Sequence, residues 1–166
     1  PNRAALLWSV GCSVMAFLGA GVWGFLHTLS SVNYYTHGTQ VTAAHGHLAF
    51  FGAYVMLNLA MITYAMPVLR GREPYNQVLN MASFWLMTSG MAFMTFTLTF
   101  AGILQTHLQR VMGLYYMEVQ DQLGLFYLMR FGAGLAVVVG ALLFIYSQVV
   151  VPREVVTPGP VAVPGE

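Results

Sequence analysis

Charge is what this sequence has least of. Asp, Glu, Lys and Arg make up 7% of its 166 residues and lysine is absent, whereas soluble globular domains carry about 25% charged residues. A formal net charge of +1 offers no basic surface to a phosphate backbone, so nucleic acid is not expected as a partner. The single cysteine, Cys12, rules out a disulfide framework and reads as a small side chain packed within an apolar run. No charged leader with a cleavage site precedes the first apolar run, so no signal peptide is expected. A Gly-rich phosphate loop, a nucleophile motif, an internal repeat and a carboxylate pair inside an apolar run are also missing.

Hydrophobic residues, at 58%, fill the space that charge leaves. Four apolar runs, at about 5–27, 41–66, 78–105 and 122–151, are each long enough to cross a hydrocarbon layer of about 30 Å as a helix. The expected fold is an all-α integral membrane protein. Residues 1–151 form its four-helix transmembrane region, and the Pro/Val-rich segment 152–166 a mobile cytoplasmic tail. Arg3, Arg70, Arg72 and Arg153 mark the start, the second connection and the tail. By the positive-inside rule these lie on the cytoplasmic side of the membrane, and connections 28–40 and 106–121 face outward. Trp8, Tyr64 and Tyr75 on one side and Trp23, Tyr34 and Tyr35 on the other read as interfacial aromatics. Small residues at four-residue spacing, Ala16, Ala20 and Gly24, then Gly132, Ala136 and Gly140, predict close helix contacts.

Against this background His45 and His47 stand out, two ionisable side chains in an apolar run. Such groups are costly in a membrane and pair, relay or coordinate. Residues two apart on a helix are separated by about 200° around the axis and about 3 Å along it. The two imidazoles therefore cannot share one metal ion, but each can offer a nitrogen to a different planar cofactor on opposite sides of the helix. Hydrogen bonding to neighbouring helices is the plainer reading. Ala49, Gly52 and Met56 share the His45 face, small or flexible residues that leave room for a macrocycle. Phe51, Tyr54 and Asn58 share the His47 face, where the two polar groups are expected to bond across helices.

The run HGTQVTAAHGH at 37–47 resembles the haem-copper oxidase pattern of a histidine and threonine followed by a His-x-His pair. The segments PNR at 1–3, MAFLGAGVWGF at 15–25, VNYYTHGTQ at 32–40, HGHLAFFGAY at 45–54, FWLMT at 84–88 and QDQLGLFY at 120–127 resemble the large subunit of bacterial cytochrome-c-dependent nitric oxide reductases. That resemblance implies the last four of about twelve helices, with His45 on the iron of haem b3 and His47 on that of haem b. It implies a haem b3 propionate as a partner for His37, although a solvated loop histidine is as simple a reading. It also implies nitric oxide as substrate, a small membrane-anchored haem c subunit as electron donor, and haems toward the periplasmic side. The family's non-haem iron, held by three histidines and a glutamate, finds no ligands in this sequence. They and the second haem b ligand are expected in the remainder of the subunit, as is whatever precedes Pro1.

Several residues stay secondary. Arg130 reads as snorkelling, or as paired with Asp121 or a propionate. His27 and Thr28 read as helix-end anchors more than as a proton route, and Thr88, Thr95 and Thr99 as hydroxyls bonded to backbone. Met56, Met87, Met91 and Met94 read as adaptable packing. A quinol-fed or oxygen-reducing relative and a non-catalytic membrane cytochrome b remain as alternatives. The last would need a second axial ligand from His27, His37 or His107.

Overall fold

The computed structural model describes residues 2–71 and 76–149, and every described element is helical. Arg72, Glu73, Tyr75, Arg153 and the expected tail lie outside the described residues. Four helices are long and apolar enough to cross a membrane: α1 (Arg3–Thr28), α3 (Gln40–Leu69), α4 (Gln77–Val111) and α6 (Gly124–Val149). Two short helices, α2 (Ser30–Thr36) and α5 (Tyr116–Gln122), occupy connections that composition alone read as loops. The all-α membrane architecture is thus present in full.

Local chemistry sets the ends. Asn2, Thr39 and Asn76 cap α1, α3 and α4 by accepting the backbone N–H groups of Ala5, Val41 and Leu79. Gly113, at φ +72°, follows α4, and a left-handed residue of this kind stops a helix at little cost only when it is glycine.

Backbone contact through glycine joins the helices. A Cβ on Gly19 of α1 would lie 2.6 Å from the Ala49 nitrogen of α3, and one on Gly52 of α3 would lie 2.5 Å from the Ala16 nitrogen. Gly102 of α4 meets the start of α3 even more closely, 2.2 Å from the Val41 nitrogen. Gly140 of α6 lies against Met87 of α4, and the Ser83 hydroxyl donates to its carbonyl at 2.6 Å. The expected stripes are therefore partly displaced. Ala20 is exposed and Gly132 faces open space, while Gly19, outside the predicted stripe, meets the backbone of α3. On α1 the cause is a π-helical stretch, Phe17–Trp23, after which the Gly24 N–H reaches back five residues to the Gly19 carbonyl. One extra residue in a turn rotates everything downstream by about 100°, so four-residue spacing no longer tracks one face.

Trp8 also departs from expectation. It is fully buried rather than interfacial, edge-on to Phe84 and Phe144 at 5.0 and 5.9 Å. Its indole N–H donates to Asn80 Oδ1 at 2.6 Å, Asn80 Nδ2 donates to Thr63 Oγ1, and Asn2 Nδ2 donates to the Thr63 carbonyl. This network ties α1, α3 and α4 at one end of the bundle. Met56, Met87, Met91 and Met94 are buried packing, as read from sequence.

Replacing Asn80 by alanine strands the buried Trp8 donor and should cost about 1–2 kcal/mol, read as earlier unfolding in a detergent titration. An unchanged midpoint would remove this network from the account. Gly102→Val overpacks the α3–α4 crossing and should cost about 1–3 kcal/mol in the same measurement.

Candidate functional site

The π stretch of α1 does more than shift a stripe. Its Gly19 carbonyl accepts the Gly24 N–H and also lies 3.0 Å from His45 Nδ1. A carbonyl can only accept, so Nδ1 carries the proton and Nε2 keeps a free lone pair. His47 reaches the same state differently. Its Nδ1 lies 2.7 Å from the Ala43 carbonyl, one turn earlier on its own helix. Both imidazoles thus have their tautomer set by backbone, the arrangement that prepares histidine Nε2 to bind a metal.

The two rings leave α3 toward different neighbours. His45 lies against α1: its Cε1 is 3.6 Å from where a Cβ of Gly24 would stand, and its ring stacks on that of His27 at 4.8 Å and 20°. His47 opens into a cleft of about 490 Å³ between α3, α4 and α6, lined by Met94, Tyr127, Arg130, Phe131 and Gly134 among others. The cleft is mainly apolar, with Tyr127 and Arg130 as its polar groups besides His47. That combination suits a flat, largely hydrophobic cofactor bearing carboxylates. Donor and space at His47 fit a haem, and His45 offers an equivalent donor nitrogen on the side that packs against α1.

His37 is not brought to this centre by any described contact. It is exposed at the C-terminal end of α2, and its side chain makes no hydrogen bond among the described residues. The face shared by His45, Ala49, Gly52 and Met56 is also not vacant space for a macrocycle. Leu48, Ala49 and Gly52 press on α1, and Met56 is fully buried beside Gly11. Small residues there serve helix contact. On the other face Asn58 donates to the Tyr54 carbonyl of its own helix at 2.7 Å instead of crossing to a neighbour, and both residues are exposed.

Arg130 forms no ion pair with Asp121; it lines the cleft, exposed at its polar end. Tyr127 donates to Gln120 Oε1 and accepts from Gln40 Nε2, while Gln105 Oε1 accepts the Gln40 backbone N–H at 2.9 Å. This amide cluster went unread in the sequence because its partners lie far apart along the chain. Thr28 and Thr99 bond to their own helices through the Phe25 and Thr95 carbonyls, whereas the Thr88 and Thr95 hydroxyls are buried without a partner. Among the described residues, no three His, Cys, Asp or Glu side chains converge to hold a metal ion.

Over 155 residues, 89% of its length, the chain is 51% identical to a nitric oxide reductase subunit from Stutzerimonas stutzeri, and it spans 33% of that protein's length. Residues 1–136 match the family described as cytochrome c and quinol oxidase polypeptide I. A chain with two backbone-tethered histidines on opposite sides of one membrane helix, matched over most of its length, belongs to that haem-copper oxidase family.

Proposed function

We propose that these residues are the haem-ligating, C-terminal part of a respiratory nitric oxide reductase catalytic subunit. The overall reaction joins two nitric oxide molecules, two electrons and two protons into nitrous oxide and water. His45 would hold the iron of haem b3 and His47 that of haem b. The observation that carries this reading is the shared tautomer. Each ring gives Nδ1–H to a backbone carbonyl and keeps Nε2 free, and the two point to different sides of α3. The identity to a nitric oxide reductase subunit favours this chemistry over that of the oxygen-reducing members of the family.

Bound haem supplies the redox-active iron; the protein's part is to bind and orient. With a haem in this cleft, His47 would hold it from the α3 side, Phe131 and Met94 would exclude water, and Arg130 and Tyr127 would receive its carboxylates. On the opposite side α1 holds His45. His37, exposed and near the same end of the bundle in sequence, is proposed as a further partner of a haem b3 propionate. The non-haem iron and the second haem b ligand belong to the remainder of the subunit. A small membrane-anchored haem c subunit delivers electrons at the outer face. By arginine placement, both ends of the chain lie on the cytoplasmic side of a bacterial inner membrane, with the haems toward the periplasm.

A purely electron-carrying cytochrome b would need both axial ligands of one haem within these residues. His27 spends its Nδ1 on the Trp23 carbonyl and packs on His45 rather than facing it across a cleft, which disfavours that reading.

In the complete reductase, His45→Ala should abolish the high-spin haem signal and nitric oxide consumption while sparing low-spin haem b. His47→Ala should remove the low-spin signal. Absorption spectra in which both signals persist in either variant would refute the assignment. Arg130→Gln removes a positive charge beside haem b, which favours the more positive ferric form. Its midpoint potential should fall by about 20–60 mV, a two- to tenfold change in a one-electron equilibrium, as read by redox titration.

A further inference from the structure

His27 has the features of a side chain placed for its flat face. Its Nδ1 lies 2.8 Å from the Trp23 carbonyl of its own helix, and its Nε2 is buried with no hydrogen-bond partner. A histidine serving as an interfacial anchor would turn that nitrogen to water. Instead the ring lies parallel to His45, with centroids 4.8 Å apart and planes 20° from parallel, within the range of favourable aromatic stacking.

Three parts of α1 therefore meet one imidazole. The Gly19 carbonyl fixes the direction of the His45 Nδ1–H bond, and Gly24 leaves the space beside Cε1. His27 covers the ring face. A single hydrogen bond leaves a ring free to tilt about the bond axis, and a stacked neighbour removes that freedom. The π turn joining Gly19 to Gly24 is what puts carbonyl and stacking ring on the same side. A regular α-helical path would carry His27 about 100° around the axis.

We propose that His27 is a positioning residue that fixes the tilt of the His45 imidazole, and through it the approach of His45 Nε2 to the haem b3 iron. The inference rests on the ligation reading of His45 and adds to it a residue that touches neither substrate nor iron.

The test uses the complete haem-loaded reductase with His27→Leu, which keeps bulk, and His27→Phe, which keeps a flat ring. The readout is the iron–histidine stretching band of the ferrous high-spin haem in resonance Raman spectra, with the low-spin haem b spectrum as the check on folding. Leu should shift the band to lower frequency and broaden it, or lose it with the high-spin haem. Phe should keep it at the parent position. Leu and Phe behaving alike, whether both unchanged or both altered, would overturn the proposal. His45→Ala separates this outcome from failure of the underlying reading. If the band survives that change, His45 is not the ligand; if it vanishes while Leu and Phe match, only the positioning role falls.

Discussion

The hydrogen bond from His45 to the Gly19 carbonyl exists only because two helix backbones touch. A side chain on Gly19 or Gly52 would hold α1 and α3 apart, and the imidazole would then have to find its acceptor elsewhere. In lipid there is no hydrophobic gain from bringing helices together, so close van der Waals contact and polar bonds between helices must hold the bundle. Glycine supplies the first, and the carbonyl that the π turn presents supplies the second. Packing and ligand chemistry are thus one interaction seen from two sides.

The same economy runs through the rest of the bundle. Gly102 admits the start of α3 to α4, where the Gln105 amide also accepts from Gln40, and Gly140 admits Met87 while its carbonyl accepts from Ser83. Each close approach is accompanied by a polar bond that could not form at the ordinary spacing of 8–10 Å between helix axes. Large apolar side chains such as Phe17, Phe25, Phe96 and Leu142 remain exposed on the outer faces, as suits surfaces meeting lipid or further helices.

Much of this was legible in the sequence. Apolar run length is a coarse signal that survives local irregularity, so the four spans and the all-α fold could be read. The opposed histidines could too, because two residues on one helix need no tertiary information. What failed was anything that assumed an unbroken 3.6-residue period over long distances. The Ala16, Ala20 and Gly24 stripe crosses the Phe17–Trp23 π turn, and there the count slips. Trp8 misled because indole at a helix end suits an interface and a core equally, and only its distant partner Asn80 decides. The room for a macrocycle expected on the His45 face is absent for a related reason. Small residues make room, but periodicity cannot say whether a cofactor or another helix takes it.

The two tethers of the histidine pair differ in kind. Ala43 lies on the same helix as His47, so that bond forms as soon as α3 is helical; Gly19 lies on another helix, so the His45 bond waits on tertiary docking. The two imidazoles, two residues apart, therefore answer to different levels of structure. A disturbance that loosens α1 from α3 reaches the His45 tether and leaves the His47 tether in place, so the two rings can lose their orientation independently.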